Sequence, residues 1–181
     1  MNLLDLVTKN PQIIGQVAQK FGISNDQAQS AIAPLMGSVT GALKNNIGQE
    51  GGLQNLLGAL SGDKLSELSE NPEALAGEAA TAEGNNVLGQ LFNDKEGSRE
   101  VARQAAEQSG VDYGITKQIL PMLATFAMGN VSKVAGGGAS GLMGMISSGG
   151  GLSGLTKLLD ADGDGSVVDD VMGMAGKFFK K

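Results

Sequence analysis

The chain has no histidine, no cysteine and no tryptophan, and only one tyrosine (Tyr113) and five phenylalanines among its 181 residues. Each absence removes a class of chemistry. Without histidine or cysteine there is no Ser-His-Asp triad, no thiolate nucleophile, no imidazole base, and no zinc, haem or iron-sulfur site of the usual kinds. Redox compartment is unreadable, because the disulfide rule needs cysteines to act on. Long apolar runs are missing too: the longest, Ile119 to Met128 with Pro121 inside it, is about half of a ~20-residue membrane span. The opening MNLLDLVTKN has no basic segment before its apolar residues and no long apolar core after them, so no secretory signal is expected. The expectation is a soluble, cytoplasmic protein without a transmembrane segment.

What remains for metal chemistry is oxygen, which suits hard cations such as calcium or magnesium. The balance of 13 Lys+Arg against 19 Asp+Glu, net −6, disfavours broad contact with phosphate backbones or anionic lipids. The acids are unevenly placed. Asp160, Asp162, Asp164, Asp169 and Asp170 fall within eleven residues, and without those five the chain stands at −1.

Helical spacing dominates, and nothing alternates with period two for long enough to read as a strand. The expected class is all-α. Ile13, Ile14, Val17, Ala18 and Phe21 form one apolar stripe, Pro11 suits a helix start, and Gly22 stops the helix. Ser24 with Gln27 predicts a capping box for the next helix, whose stripe is Ile32, Leu35, Met36, Val39 and Leu43, with a kink expected at Pro34. A second pair repeats the pattern: Val101, Ala102, Ala105 and Ala106 lead to Gly110-Val111-Asp112, with Asp112 as cap, and then to Ile115, Ile119, Met122, Leu123 and Phe126. Ala33-Pro34-Leu35-Met36 corresponds to Leu120-Pro121-Met122-Leu123, which suggests an internal duplication. Each half ends in glycines before a short apolar stripe: Gly51-Gly52 before Leu53, Leu56, Leu57 and Leu60, and Gly136-Gly137-Gly138 before Leu142, Met143 and Ile146.

The organisation read from this is a first helical half (1–60), a polar connector of short solvated helices with Leu65, Leu68 and Leu75 as its anchors (61–85), a second half (86–135), a glycine-rich hinge (136–154) and a helix-loop-helix tail (155–181).

The tail holds the sharpest motif. After Leu155, Leu158 and Leu159 comes Asp160-Ala161-Asp162-Gly163-Asp164-Gly165-Ser166-Val167, and then a stripe of Val168, Val171, Met172, Ala175 and Phe179. This resembles a helix-loop-helix calcium loop. Asp160, Asp162 and Asp164 stand at positions 1, 3 and 5, Gly165 at the sharp turn, and Ser166 where a backbone carbonyl is offered. Alternate carboxylates let a tight loop wrap a cation of 6 to 8 oxygen ligands, and the ion relieves their mutual repulsion. Position 12, where a bidentate glutamate belongs, is Val171. Asp170, or Asp169 as the alternative, would complete the shell, or water would close it with weak binding. The plainer reading is an Asp-rich cap for the last helix, with Lys177, Lys180 and Lys181 at its other end. Calcium binding is favoured over it, and over magnesium, which would not need so many carboxylates.

These residues together resemble a bacterial family classed as domain of unknown function 937, the YidB-like proteins. The likeness is carried by Asn2-Leu3-Leu4-Asp5-Leu6, LGQLFNDKEGSREVARQAAEQSGV (Leu88 to Val111), LPMLATFAMGNVSK (Leu120 to Lys133) and DADGDGSVVDDVMGMAGKF (Asp160 to Phe178). The resemblance implies a small bacterial protein with a homeodomain-like helical fold and no established activity.

A helix-turn-helix reading would send the helix starting near Asn25 or Tyr113 into a nucleic-acid groove. From Asn25 to Gly41 there is one acid and no base, and from Tyr113 to Gly129 the only charge is Lys117, whereas a reading helix carries several polar and basic side chains. A plain helical hairpin is favoured. Enzymatic activity is not expected: Glu67, Glu70, Glu73 and Glu78 are spread along a polar segment, and Asp94 to Glu107 has the spacing of a solvated, salt-bridged face. Met122, Met128, Met143, Met145, Met172 and Met174 suit adaptable apolar contacts or core filling. The expected function is a non-catalytic interaction or scaffold module with a calcium loop, binding a protein partner or itself.

Overall fold

The computed structural model describes residues 2–49, 51–61, 64–92, 95–147 and the single positions 155 and 159. Among the described residues the chain is helical throughout, with no strand. Ten helices follow in order: α1 (Leu3–Thr8), α2 (Pro11–Phe21), α3 (Asn25–Gly48), α4 (Gly52–Ala59), α5 (Leu65–Glu70), α6 (Pro72–Leu75), α7 (Glu78–Phe92), α8 (Lys95–Ser109), α9 (Tyr113–Val134) and α10 (Gly138–Ser147). None is long and apolar enough to cross a membrane.

Local chemistry sets the helix ends. Asn10 caps α2, its side chain accepting from Gln12 N at 3.1 Å and Ile13 N at 3.3 Å, with Pro11 in the first turn where no N–H is needed. Gly22 closes α2 in the left-handed region at φ 64°, a conformation that costs a side-chain-bearing residue energy. Ser24 and Gln27 form the expected capping box: Gln27 N donates to Ser24 Oγ at 3.1 Å, and Ser24 N donates to Gln27 Oε1 at 3.0 Å. The α8–α9 turn is built alike, with Gly110 at φ 70° and the Asp112 side chain accepting from Gly114 N at 2.7 Å. Both long helices run on past their internal prolines, Pro34 and Pro121.

The centre is α9, with fourteen of its 22 residues buried. It is enclosed by α3, α5, α7 and α8. Small residues allow this. A Cβ on Gly84 of α7 would overlap the Pro121 carbonyl of α9, and a Cβ on Gly129 would overlap Ser69 and the Leu65 carbonyl of α5. Backbones therefore meet at distances that larger side chains would forbid. The Thr125 hydroxyl donates to the Ala80 carbonyl at 2.6 Å, and the Thr116 hydroxyl donates to the Ala102 carbonyl at 2.8 Å. These bonds satisfy two buried hydroxyls and tie α9 to α7 and α8. Pro121, Thr125 and Gly129 recur every four residues, so one stripe of α9 meets both α7 and α5.

Buried side chains from all ten helices, with Leu155 and Leu159, form one apolar cluster. Segments that read as loosely packed belong to it. Residues 61–85, expected as a solvated connector, supply Leu65, Leu68, Ser69, Leu75 and Ala80 as buried positions. Ser69, Ala80 and Gly84 pack closely on α9, while Ser61, Ala79 and Ala82 face solvent. Residues 138–147, read as part of a hinge, are helix α10 with Leu142 fully buried. The side chains of Leu53, Met145 and Ile146 and all of 160–181 lie outside the described residues.

Two glycine substitutions separate packing from propensity. Gly84→Ala should cost about 3 kcal/mol, because overpacking here meets backbone, and should lower Tm by on the order of 10 °C in a chain of this size. Gly37→Ala, on the exposed face of α3 with open space beyond its Cα, should instead stabilise by about 0.5–1 kcal/mol. Thermal melts of the two variants with equal losses would show that α7 and α9 are not in such close contact.

Candidate functional site

The residues expected to ligate calcium, Asp160, Asp162, Asp164, Ser166 and Asp170 with Asp169 as alternative, lie outside the described residues. The structure does describe the platform from which that segment departs. It starts at the end of α9, where Gly136, Gly137 and Gly138 have φ of 86°, 106° and 60°. Gly136 N donates to the Lys133 carbonyl at 3.0 Å and Gly137 N donates to the Ser132 carbonyl at 2.9 Å, which satisfies carbonyls at the helix end. Gly138 N donates to Ser132 Oγ at 2.8 Å, and Ser66 Oγ of α5 lies 3.0 Å from the same hydroxyl oxygen. The Lys133 ammonium pairs with Glu70 of α5 at 3.1 Å. The turn is therefore held by α5 as well as by α9.

The turn sends α10 back along α9 and α4. A Cβ on Gly141 would overlap the Ala135 carbonyl, so α10 enters tightly. Leu142 points inward at 0 % exposure, while Met143 is 50 % exposed and Val134 38 %. A cleft of about 390 Å³ opens beside the turn, lined by Leu60, Ser61, Ser66, Ser132, Ala139 and Ser140 among others. Its polar groups are hydroxyls and main-chain atoms, with no titratable side chain in the lining. Beyond α10, Leu155 and Leu159 are each 1 % exposed. They are four positions apart in the sequence, and Asp160 follows the second directly.

Among the described residues no three of the His, Cys, Asp and Glu type stand close enough to hold a metal ion. The glutamates of the 61–85 segment are not brought together; Glu70 is spent on Lys133. On α8 the expected pairing is present as exposed Arg99–Glu96 and Arg103–Glu100 ion pairs, which contribute little to stability. One polar node was not anticipated. Asn46, 7 % exposed near the end of α3, donates through Nδ2 to the Ala42 and Leu91 carbonyls, both at 2.9 Å, while its Oδ1 accepts from Asn55 Nδ2 at 3.3 Å. It satisfies a carbonyl in the last turn of α7 and joins three helices. The signal was present in the sequence: Asn46 continues the stripe of Val39 and Leu43 at helical spacing.

These features define an all-helical protein wrapped around one buried helix, with a tight glycine turn leading toward an acidic segment. The chain belongs to a family of bacterial proteins of unknown function, DUF937, whose model matches residues 5–134. The match ends on the last residue of α9, so it takes in the whole of Leu88 to Val111 and of Leu120 to Lys133, whereas the glycine turn and the acidic tail lie beyond it. No curated protein and no solved structure matches the chain.

The glycine turn gives a direct test of how α10 is set. Gly137→Ala should cost about 1–3 kcal/mol, since φ 106° is unfavourable for any residue with a side chain. Gly144→Ala, in α10 with open space beyond its Cα, should be neutral or stabilising. Chemical denaturation of both decides it, and an unchanged midpoint for Gly137→Ala would mean that the turn is not populated as described.

Proposed function

We propose that this protein is a non-catalytic helical interaction or scaffold module, made of two related helical-hairpin halves, whose segment Asp160–Asp170 binds calcium. The observation that carries the reading is the placement of Leu155 and Leu159. Both are buried in the same cluster as the ten helices, and the first acidic residue of the motif follows immediately. A cation held by Asp160, Asp162, Asp164, the Ser166 carbonyl and Asp170 would bind next to a point fixed by the core. Binding confined to the folded chain would stabilise the whole fold by linkage. The bound ion would offset carboxylate repulsion and supply the charge that orders the last helix; Met143, exposed on α10, suits adaptable apolar contact.

The two turns support the duplicated-halves reading: Gly22 and Gly110 share the left-handed conformation, and each is followed by a side-chain cap and a long helix with an internal proline. Groove reading by α9 fits poorly with fourteen buried residues out of 22. The exposed face of α3 carries Asn25, Gln27, Gln29 and Asn45 but no arginine, and its first turn bears the acid Asp26, which disfavours a phosphate backbone.

Calorimetry with calcium on the intact protein should show saturable heat and a Tm that rises with calcium. At one hundred times Kd the gain is about 2.7 kcal/mol. Asp160→Ala/Asp162→Ala should abolish both. No heat and no Tm change on the intact protein would overturn the reading, as would retardation of duplex DNA at low salt with no response to calcium.

A further inference from the structure

A second site stands apart from the α9–α10 turn and shares no lining residue with it. Three helices meet there, each offering residues on one face: Asn85, Leu88 and Gly89 from α7, Lys95, Ser98 and Arg99 from α8, and Lys117 and Leu120 from α9. They enclose a cleft of about 450 Å³, within the range of small-molecule sites. Leu88 and Leu120 are buried and form an apolar floor. Gly89, where a Cβ would meet nothing, leaves the wall of α7 bare. Among the described residues the lining holds three cations and no carboxylate, in a chain where acids outnumber bases by 19 to 13.

The pairing of these cations matters. Elsewhere Lys9 pairs with Asp5 at 3.0 Å, Arg103 with Glu100 at 2.6 Å and Lys133 with Glu70 at 3.1 Å, while Lys20, Lys44 and Lys64 stand singly without an ion pair among the described residues. Arg99 is engaged by Glu96 at the rim. Among the described residues Lys95 and Lys117 have no ion-pair partner, although they come from different helices into one cleft. The two ammonium groups, with Asn85 beside them and the Ser98 hydroxyl donating to the Lys95 carbonyl at 3.0 Å, give the cleft an excess of cationic donors. An anion with two negative charges matches that set, and the ammonium groups suit phosphate as point charges.

We infer that the cleft between α7, α8 and α9 binds a phosphate-bearing small molecule, the phosphate held by Lys95 and Lys117 and an apolar portion resting on Leu88 and Leu120. Arg99 stays with Glu96 and closes the rim. The inference is independent of the calcium reading, because none of its residues belongs to the acidic segment.

The test is a titration of the intact protein with phenyl phosphate and with inorganic phosphate at low ionic strength, followed by backbone amide NMR shifts. Phenyl phosphate should give saturable shifts concentrated at residues 85–89, 95–99 and 117–120. Its affinity should exceed that of inorganic phosphate by at least threefold, because only it reaches the apolar floor. Lys95→Gln/Lys117→Gln should weaken binding at least tenfold, and both side chains are exposed, so the fold should survive the exchange. Lys9→Gln, at the C-cap of α1 and outside the cleft's lining, should leave it unchanged. Non-saturating shifts spread over all the lysines would overturn the inference, as would equal affinity in the Lys95→Gln/Lys117→Gln protein. Equal affinity for the two phosphates would remove the apolar part of the site.

Discussion

The structure depends on how closely α9 can be approached. A helix with fourteen buried residues needs partners on nearly every side, and two of these, α5 and α7, reach it only because Gly84 meets the Pro121 carbonyl and Gly129 meets Ser69 and Leu65. Dispersion and apolar burial then act over short distances, and the Thr125 and Thr116 hydroxyls find carbonyls on neighbouring helices instead of remaining unsatisfied. In a chain with no disulfide and few aromatic residues, stability has to come from such packing. Glycine in mid-helix is costly by itself, so Gly84 and Gly129 are repaid only through the contacts they permit.

The same constraint links the body to its C-terminal side. Because α5 is pressed against α9, Ser66 and Glu70 are in place to hold Ser132 and Lys133, and Ser132 in turn receives Gly138 at the start of α10. The direction of α10 is thus set by the core. Leu155 and Leu159 join that core again before the acidic residues begin. A cation bound there would act on a segment whose entry is fixed, which is what makes coupling between ligand and fold physically reasonable.

Much of the local architecture was legible in the sequence because caps and stops are short-range. Pro11, Ser24 with Gln27, Gly22, Gly110 and Asp112 each specify a boundary through their own backbone or a near neighbour, whereas the Asn10 cap emerged only in the structure. The packing role of residues 61–85 was not legible. Ser69, Ala80 and Gly84 are small and weakly apolar, and their value is set by the partner helix, which a periodicity argument does not contain. The glycines at 136–138 were ambiguous for a related reason: a flexible run and a turn requiring three positive φ values have the same composition. The cationic cleft was hidden by sequence distance, since Lys117 joins Lys95 and Arg99 only when α9 lies beside α8. Within the matched family segment, residues 5–134, the recognisable stretches include these helices, whereas the acidic motif rests on its own spacing.

Calcium bound at Asp160–Asp170 would be felt by the helical body through Leu155 and Leu159. The calcium-induced change in Tm, compared between the intact protein and Leu155→Ala/Leu159→Ala with calorimetry on both to confirm that the ion binds, tests this coupling. The heat of binding should persist in the variant while the rise in Tm disappears or shrinks to a small fraction. An undiminished rise in Tm in the variant would contradict the coupling.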